Sequence, residues 1–128
     1  HPGIILAGWS DEVEYFMSLS FALVHPSYRE GFPNVLLQAG AMHCPVICSR
    51  IEGNIDIVED ERTGLIFEVK NEDSLYKRLE FALANPGLLE QYTIQLRKRI
   101  EQYYDQPILH SLIHQKYLAL LAEKGIPA

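Results

Sequence analysis

Four short runs of consecutive apolar residues mark the first half of the chain, and segments with the spacing of helices lie between them. The runs cover residues 3–8, 21–25, 44–49 and 63–69. A run without a polar break is typical of a strand that is buried on both faces. Strands that alternate with helices favour a parallel sheet with right-handed crossovers and helices on both faces. The sequence therefore predicts an α/β fold with about four parallel strands.

The segments between and after these runs predict the helices. Ser10 offers a helix start before apolar residues at helical spacing, a second helix follows Pro33, and a short helix begins near Asn54. After residue 71 apolar residues recur at spacings of three and four. This pattern predicts three further helices, over 72–84, 87–104 and 108–123. We expect one Rossmann-like domain over residues 1–128, with extra helices at its C-terminal end.

The composition supports a single globular domain and argues against several classes of partner. Of the 128 residues, 48% are hydrophobic, and a chain of this length buries roughly two-thirds of its surface on folding. The net charge of −6 argues against a binding surface for nucleic acid or for an anionic membrane. No apolar run reaches the roughly 18 residues that a membrane span needs. Cys44 and Cys48 are expected to be free thiols in a reducing cytoplasm.

One loop at the carboxyl ends of the predicted strands, where parallel sheets bind ligands, has a distinctive sequence. The stretch SYREGFPNVLLQAGAMHCPVI begins at Ser27 and joins this loop to a helix. Pro33 suits the first position of a helix, and Gly31 allows a ligand to approach the backbone closely. Glu30 offers a carboxylate to hydroxyl groups. Three backbone N–H groups at the helix start are then expected to be free for a phosphate: those of Asn34, Val35 and Leu36.

A single polar side chain, Gln38, interrupts the apolar face of the same helix. Its amide must be either exposed or paired with a partner. Glu30 and Gln38 also have a plain structural interpretation, as a partner of the helix dipole and as a solvated amide. We expect His25 to be a structural histidine with satisfied hydrogen bonds, and Glu59 and Glu61 to be solvated.

Three motifs in a fixed order resemble one enzyme family. HPSYREGFPNVLLQAGAMHCPVI is followed by EGNIDIVEDERTGLIF and then by NEDSLYKRLEFALANP. Together they are similar to the C-terminal, donor-binding domain of family 4 retaining glycosyltransferases with the GT-B fold, over nearly the whole chain. The similarity is greatest to transferases of bacterial capsular and surface polysaccharides. The resemblance implies transfer of a sugar from a nucleotide diphosphate to an acceptor hydroxyl, with retention at the anomeric carbon.

The resemblance also implies roles for the residues around the predicted helix start. The family carries two glutamates separated by seven residues, and Glu30 fits the first, the catalytic position that contacts the donor sugar. The residues after it would line the sugar pocket: Gly31, Phe32 and Pro33. The backbone of the first helical residues would hold the diphosphate: Asn34 and Val35.

The second glutamate of the family is replaced here by Gln38. An amide can still donate to and accept from a ribose diol, and the exchange weakens the contact by about 1 kcal/mol. Gln38 is therefore expected to bind the ribose, and Gln38→Glu to be tolerated. The resemblance places the nucleobase near Gly8 and Trp9. Asn54 lies where relatives carry GG-x-x-E, and it is expected to face the ligand cleft.

The resemblance implies that the ligands are small molecules and saccharides. We expect a UDP- or GDP-linked sugar as substrate, with neither cofactor nor metal. A saccharide or lipid-linked saccharide acceptor would bind through an N-terminal domain that this chain lacks. Because the chain begins His1-Pro2-Gly3 without the features of a leader, we expect a piece of a longer cytoplasmic protein, peripheral to the inner face of the membrane. The fragment alone is expected to be inactive, and to self-associate through an apolar face of its last helix.

Two alternatives stay open at this point. A nucleotide-sugar epimerase of the GT-B type would need additional acid and base residues in the cleft, and the sequence offers no convincing set. A non-catalytic module of the flavodoxin-like or receiver type would need paired acids after its first strand and an aspartate at the end of a central strand. His25 and Ser49 stand at the ends of the strands here, which disfavours a receiver.

Overall fold

The computed structural model describes residues 1–125, in which parallel strands and helices alternate as predicted. The strands are β1 (Leu23–His25), β2 (Val46–Ser49) and β3 (Leu65–Phe67). The helices are α1 (Val13–Leu19), α2 (Asn34–Ala41), α3 (Glu52–Ile57), α4 (Glu72–Ala84), α5 (Pro86–Tyr103) and α6 (Gln106–Glu123). The α/β class is confirmed.

The three strands form one parallel sheet in the order β1-β2-β3. Val24 is opposite Ile47, and Cys48 is opposite Ile66. All four residues of β2 are buried, as expected for the central strand of a parallel sheet. The carboxyl ends of β1 and β2 lie side by side, so the loops that follow them meet at one edge of the sheet.

Residues 3–8, predicted as the first strand, do not form one. Ile5 and Leu6 keep 86% and 93% of their surface exposed, and the segment lies outside the sheet. β1 pairs with β2 along one side, and no other strand of residues 1–125 pairs with its second side. An apolar run becomes a buried strand only where a neighbouring strand shares its backbone hydrogen bonds and other elements cover its faces. The described sheet therefore has three strands instead of four.

The core lies on both faces of the sheet, because successive strand residues point to opposite sides. On one face, Val46 and Cys48 pack against Leu36 of α2 and Leu96 of α5. The opposite face is covered by a second cluster of buried residues: Ile47, Leu65, Phe67, Ala82 and Leu89. Helices on both faces were predicted, and the structure confirms them.

Arginines of α4 and α5 hold the turn between α3 and β3. Arg78 donates to Asp60 at 2.8 Å and to Glu61 at 2.6 Å. Arg99 donates to Glu59 at 2.7 Å. Glu61 is solvated as expected, with 58% of its side chain exposed, although it is also paired. Glu59 is only 33% exposed, so the expectation of a solvated side chain is wrong for it. Helices that follow much later in the chain deliver the arginines, so the local sequence did not reveal these pairs.

The last helix, α6, has no buried residue. Its exposed apolar side chains include Ile108, Leu112, Ile113, Leu118 and Leu120. The exposed apolar side chains predicted for the last helix are thus present, but they are distributed around the helix and not confined to one face. Among residues 1–125, no helix combines the length and the hydropathy that crossing a membrane requires.

Candidate functional site

An open cleft of about 580 Å³ lies at the carboxyl ends of β1 and β2. The loop after β1 forms one wall and the start of α3 forms the other. The lining residues are Tyr28, Arg29, Glu30, Gly31, Ile51, Glu52, Gly53 and Asp56. A Cβ at Gly31 would meet no atom within 4 Å, so the loop backbone faces open space there. The cleft lies where parallel sheets bind ligands.

Glu30 is half-buried in this cleft, and one of its two carboxylate oxygens is engaged by the protein. Oε1 accepts a hydrogen bond from Ser27 Oγ at 2.8 Å. His25 Nε2 lies 3.4 Å from the same oxygen, a distance that makes an ion pair only when the imidazole is protonated. The structure therefore brings together the predicted acid and two residues that the motif did not assign to it.

His25 differs from the expectation of a satisfied structural histidine. Its Nε2 atom is buried and makes no hydrogen bond to any described residue. The 3.4 Å approach to Glu30 lacks the geometry of a hydrogen bond, although the distance qualifies as an ion pair. A buried nitrogen without a partner normally needs an explanation, and this one faces the acid of the cleft.

Asn54 does not face the cleft, contrary to the expectation. It is fully buried, and its Nδ2 donates to Ser49 O at 2.9 Å and to Ser49 Oγ at 3.2 Å. The hydroxyl of Ser49 donates in turn to the backbone carbonyl of Ser27. Because α3 begins at Glu52, earlier than predicted, position 54 turns toward the interior. These contacts link the end of β2, the first turn of α3 and the loop after β1.

The helix start beside the cleft leaves fewer free N–H groups than predicted. α2 begins at Asn34, so Pro33 is the residue before the helix and not its first residue. Asn34 N donates to Phe32 O at 3.0 Å, and Leu36 N donates to Pro33 O at 3.0 Å. Among the residues that the structure describes, the N–H group of Val35 has no acceptor. Of the three predicted phosphate donors, Val35 alone is open.

Phe32 and Pro33 flank the cleft without lining it. Pro33 is buried, and the ring of Phe32 packs at 5.9 Å from the ring of Tyr104, just after α5. The hydroxyl of Tyr104 donates to Asp56 O at 2.7 Å. The end of α5 thereby braces both walls of the cleft.

Gln38 is exposed on α2, and it has a protein partner. Its Nε2 donates to Glu14 Oε1 of α1 at 3.3 Å. A ribose contact would therefore exchange this bond for one to the ligand. Gly8 and Trp9, predicted near the nucleobase, precede α1 outside the cleft, and Trp9 is 85% exposed. The structure does not bring these two residues to Glu30.

The two cysteines are buried free thiols. Burial raises the pKa of the Cys48 thiol to about 12, and the negative charge of Asp60 acts in the same direction. Burial also raises the pKa of Cys44. Neither thiol has the low pKa of a nucleophile. No cluster of three or more metal-binding side chains occurs within residues 1–125.

Comparison with known proteins matches residues 2–104 to the family described as glycosyl transferases group 1. The chain is 29% identical to the capsular polysaccharide biosynthesis glycosyltransferase CapM of Staphylococcus aureus, over 96% of this chain and 32% of that protein. It is 33% identical to the UDP-Gal:alpha-D-GlcNAc-diphosphoundecaprenol alpha-1,3-galactosyltransferase of Escherichia coli, over 59% of this chain and 20% of that protein. The chain thus spans about a third or less of the length of these relatives.

Solved structures show the same architecture. Sucrose-phosphate synthase of Thermosynechococcus elongatus matches with a TM-score of 0.78 at 28% identity, over 84% of this chain and 27% of that chain. HepE of Anabaena, crystallised with UDP and glucose, matches with a TM-score of 0.82 at 16% identity, over 88% of this chain and 31% of that chain. The second likeness concerns the fold alone. Because the family match covers residues 2–104, the chain belongs to the group 1 glycosyltransferase family, and its fold resembles that of the GT-B glycosyltransferases.

Proposed function

We propose that this chain is the donor-binding part of a retaining glycosyltransferase that makes capsular, extracellular or lipopolysaccharide chains. One observation carries the proposal: in a member of this family, a half-buried glutamate is held in an open cleft at the carboxyl ends of parallel strands, beside a helix start. The substrate is a UDP- or GDP-linked sugar. The acceptor is a saccharide or lipid-linked saccharide held by an N-terminal domain, at the cytoplasmic face of the membrane.

Glu30 is the residue that binds the donor sugar. Its Oε1 is engaged by Ser27, and its other oxygen is available to accept a hydrogen bond from a sugar hydroxyl. A hydrogen bond to a charged carboxylate contributes about 1.5–3 kcal/mol, more than a neutral one. Gly31 lines the same cleft without a side chain, which leaves room for the sugar ring beside the loop backbone.

The start of α2 is the site for the diphosphate. The free N–H group of Val35 and the positive end of the helix dipole favour an anion there. Asn34 would join by giving up its bond to Phe32 O. Transfer breaks the bond between the anomeric carbon and the diphosphate oxygen and forms one to the acceptor oxygen on the same face, with release of the acceptor's hydroxyl proton. The protein contributes by stabilising the charge of the leaving diphosphate and by positioning the acceptor.

Two of the known proteins support this choice of substrate class. The name of the E. coli relative specifies UDP-Gal as its donor and an acceptor linked to diphosphoundecaprenol. HepE was crystallised with UDP and glucose, although its likeness to this chain concerns the fold alone. Both agree with a nucleotide sugar as the ligand of the cleft.

The test is calorimetric titration of the chain with UDP, GDP, UDP-glucose and GDP-mannose. We expect weak binding of one nucleoside diphosphate and of its sugar conjugate, without turnover. Glu30→Gln should lower the affinity for the nucleotide sugar and leave that for the bare diphosphate unchanged, because the diphosphate has no sugar. Gln38→Ala should weaken both ligands alike, by about 0.5–1.5 kcal/mol for a lost neutral hydrogen bond.

Glu123→Gln, an exposed position on α6, is the matched control and should change neither affinity. The proposal fails if the chain binds none of the four ligands, or if Glu30→Gln abolishes binding of the bare diphosphate. Sugar transfer by the 128-residue chain alone would contradict the assignment of the acceptor to another domain.

A further inference from the structure

We infer that Ser27 is a positioning residue for Glu30, and that buried Ser49 and Asn54 hold Ser27 in place. The inference rests on the proposed function, since it concerns how Glu30 meets the donor sugar. It assigns a role to three polar residues outside the family's glutamate pair. The inference is based on the observation that the described part of the protein contacts only one of the two carboxylate oxygens of Glu30.

Both contacts to the Glu30 carboxylate fall on the same oxygen. Ser27 Oγ donates to Oε1 at 2.8 Å, and His25 Nε2 lies 3.4 Å from Oε1. Within residues 1–125, Oε2 has no hydrogen-bond partner. A carboxylate accepts through both oxygens, so this arrangement leaves one complete oxygen for a ligand hydroxyl. Without the Ser27 hydroxyl the carboxylate would lose its hydrogen bond within residues 1–125 and keep only the 3.4 Å approach of His25, so a ligand would have to order it on binding.

The anchor behind Ser27 is buried and hydrogen-bonded. Its backbone carbonyl accepts from Ser49 Oγ, and Ser49 accepts from Asn54 Nδ2 at 3.2 Å. Ser49 and Asn54 are 1% and 0% exposed. Hydrogen bonds in such surroundings are electrostatically stronger than in water and support one another. The loop after β1 is therefore fixed by the end of β2 and by α3, two elements that follow it in the chain.

This anchor acts through the backbone of Ser27, whereas the contact to Glu30 uses its side chain. Ser27→Ala therefore removes the hydroxyl that orients Glu30 and keeps the carbonyl that Ser49 holds. The single hydroxyl proton of Ser27 can be donated to only one acceptor at a time, and Arg29 O at 3.1 Å is a more distant alternative to Glu30 Oε1 at 2.8 Å. Because of this separation, a positioning role can be told apart from a role in folding.

The experiment measures the affinity of the chain for a nucleotide sugar and for the matching bare diphosphate, using UDP-glucose with UDP and GDP-mannose with GDP. We expect Ser27→Ala to weaken binding of the nucleotide sugar by roughly 2- to 10-fold, because the ligand would then have to order the Glu30 side chain on binding. Affinity for the diphosphate should not change. Ser27→Thr, which keeps a hydroxyl, should restore most of the loss. Ser18→Ala removes a hydroxyl that bonds Tyr15 O on α1, and as the control it should be neutral.

A double-mutant cycle with Glu30→Ala completes the test. If Ser27 acts through Glu30, then adding Ser27→Ala to Glu30→Ala should cause no further loss. Additive losses, or equal weakening of sugar conjugate and bare diphosphate, would overturn the positioning role. If Ser27→Ala fails to fold by circular dichroism, Ser27→Cys replaces it, because it keeps a side chain with only a weak donor.

Failure of the proposed function would look different. In that case Glu30→Ala itself would leave the ratio of the two affinities unchanged, or the unaltered chain would bind neither pair of ligands, and the positioning role would fall with it. A clear effect of Glu30→Ala without any effect of Ser27→Ala would overturn the positioning role alone.

Discussion

Gly53, in the first turn of α3, packs directly against the backbone carbonyl of Glu30. A Cβ at position 53 would stand 3.0 Å from Glu30 O and 3.1 Å from Gly31 O. These distances are shorter than ordinary carbon–oxygen contacts, and backbone atoms cannot swing aside as the end of a side chain can. The two walls of the cleft therefore touch at this point, and the absence of a side chain at position 53 sets their separation.

Gly53→Ala should push the loop that carries Glu30 away from α3. We expect a destabilisation of about 1–3 kcal/mol, as for an overpacked site, together with weaker binding of the nucleotide sugar. Denaturant unfolding and calorimetry measure the two effects. Gly87→Ala is the matched control, because a Cβ there meets nothing within 4 Å. Equal stability of the two variants would show that the contact at Gly53 relaxes freely.

Gln38→Glu, which introduces the family's usual residue, should lower the stability of the folded chain, an effect that the sequence did not reveal. Gln38 Nε2 donates to Glu14 Oε1 at 3.3 Å, so the substitution would bring two carboxylates together. We expect a loss of about 0.2–1 kcal/mol of stability at low ionic strength, which added salt should reduce. Glu14→Gln in the same chain should restore the stability. Thermal unfolding at two salt concentrations measures this, and a loss that does not depend on salt would exclude repulsion as the cause.

The raised pKa of Cys48 predicts that the stability of the chain decreases at alkaline pH. Its folded-state pKa of about 12 lies above the ordinary 9.0, so the folded protein binds this proton more tightly than the unfolded one. The resulting stability is complete below pH 9 and is lost as the pH rises from about 9 toward 12. The slope for this thiol is at most about 1.4 kcal/mol per pH unit.

Comparison with Cys48→Ala isolates that thiol from the other groups that titrate in this range. The difference in free energy of unfolding between the native chain and Cys48→Ala should shrink as the pH increases above 9. Ile66→Val is the control, since Ile66 is the strand partner of Cys48, is buried and does not titrate. A constant difference for Cys48→Ala across this range would contradict the raised pKa.

The exposed apolar side chains of α6 predict self-association of the chain at high concentration. Leu112 and Leu120 are 56% and 46% exposed, and they line one open surface depression together with Ile113, Lys116 and Tyr117. Leu120→Lys should shift the chain toward the monomer in sedimentation velocity. Gln115→Lys adds the same charge at an exposed position of the same helix and should leave association unchanged. A native chain that stays monomeric at high concentration would exclude this role for α6.

The sequence was most informative where one element determines its own structure. The helix over residues 72–84 was predicted from its apolar spacing with the bounds that the structure shows. Asn71 caps the start of this helix by accepting from Ser74 N at 2.9 Å. The central strand was recognised from its apolar run. The loop of Glu30 was placed at the carboxyl edge of the sheet, since parallel topology leaves few alternatives.

The errors concern residues whose partners belong to other elements of the fold. An apolar run does not reveal whether another strand is present to pair with it, so residues 3–8 were predicted as a strand. Asn54 was assigned to the cleft from its position relative to the GG-x-x-E pattern, and the sequence did not show that its side chain bonds Ser49 at the end of β2. The bond between Gln38 and Glu14 spans 24 positions. The anchor behind Glu30 had one local indication in the sequence. Ser49 ends a buried strand, and Asn54 follows it five residues later.

Because β1 is paired on one side only within residues 1–125, the yield of refolding should depend on the protein concentration. Unpaired backbone groups along a strand edge can pair with the same edge of a second molecule. Folding of a single chain is first order in protein, whereas edge pairing between two chains is second order. Dilution therefore slows the bimolecular reaction without slowing folding, and the protein concentration during refolding decides how much of the chain reaches the monomeric fold.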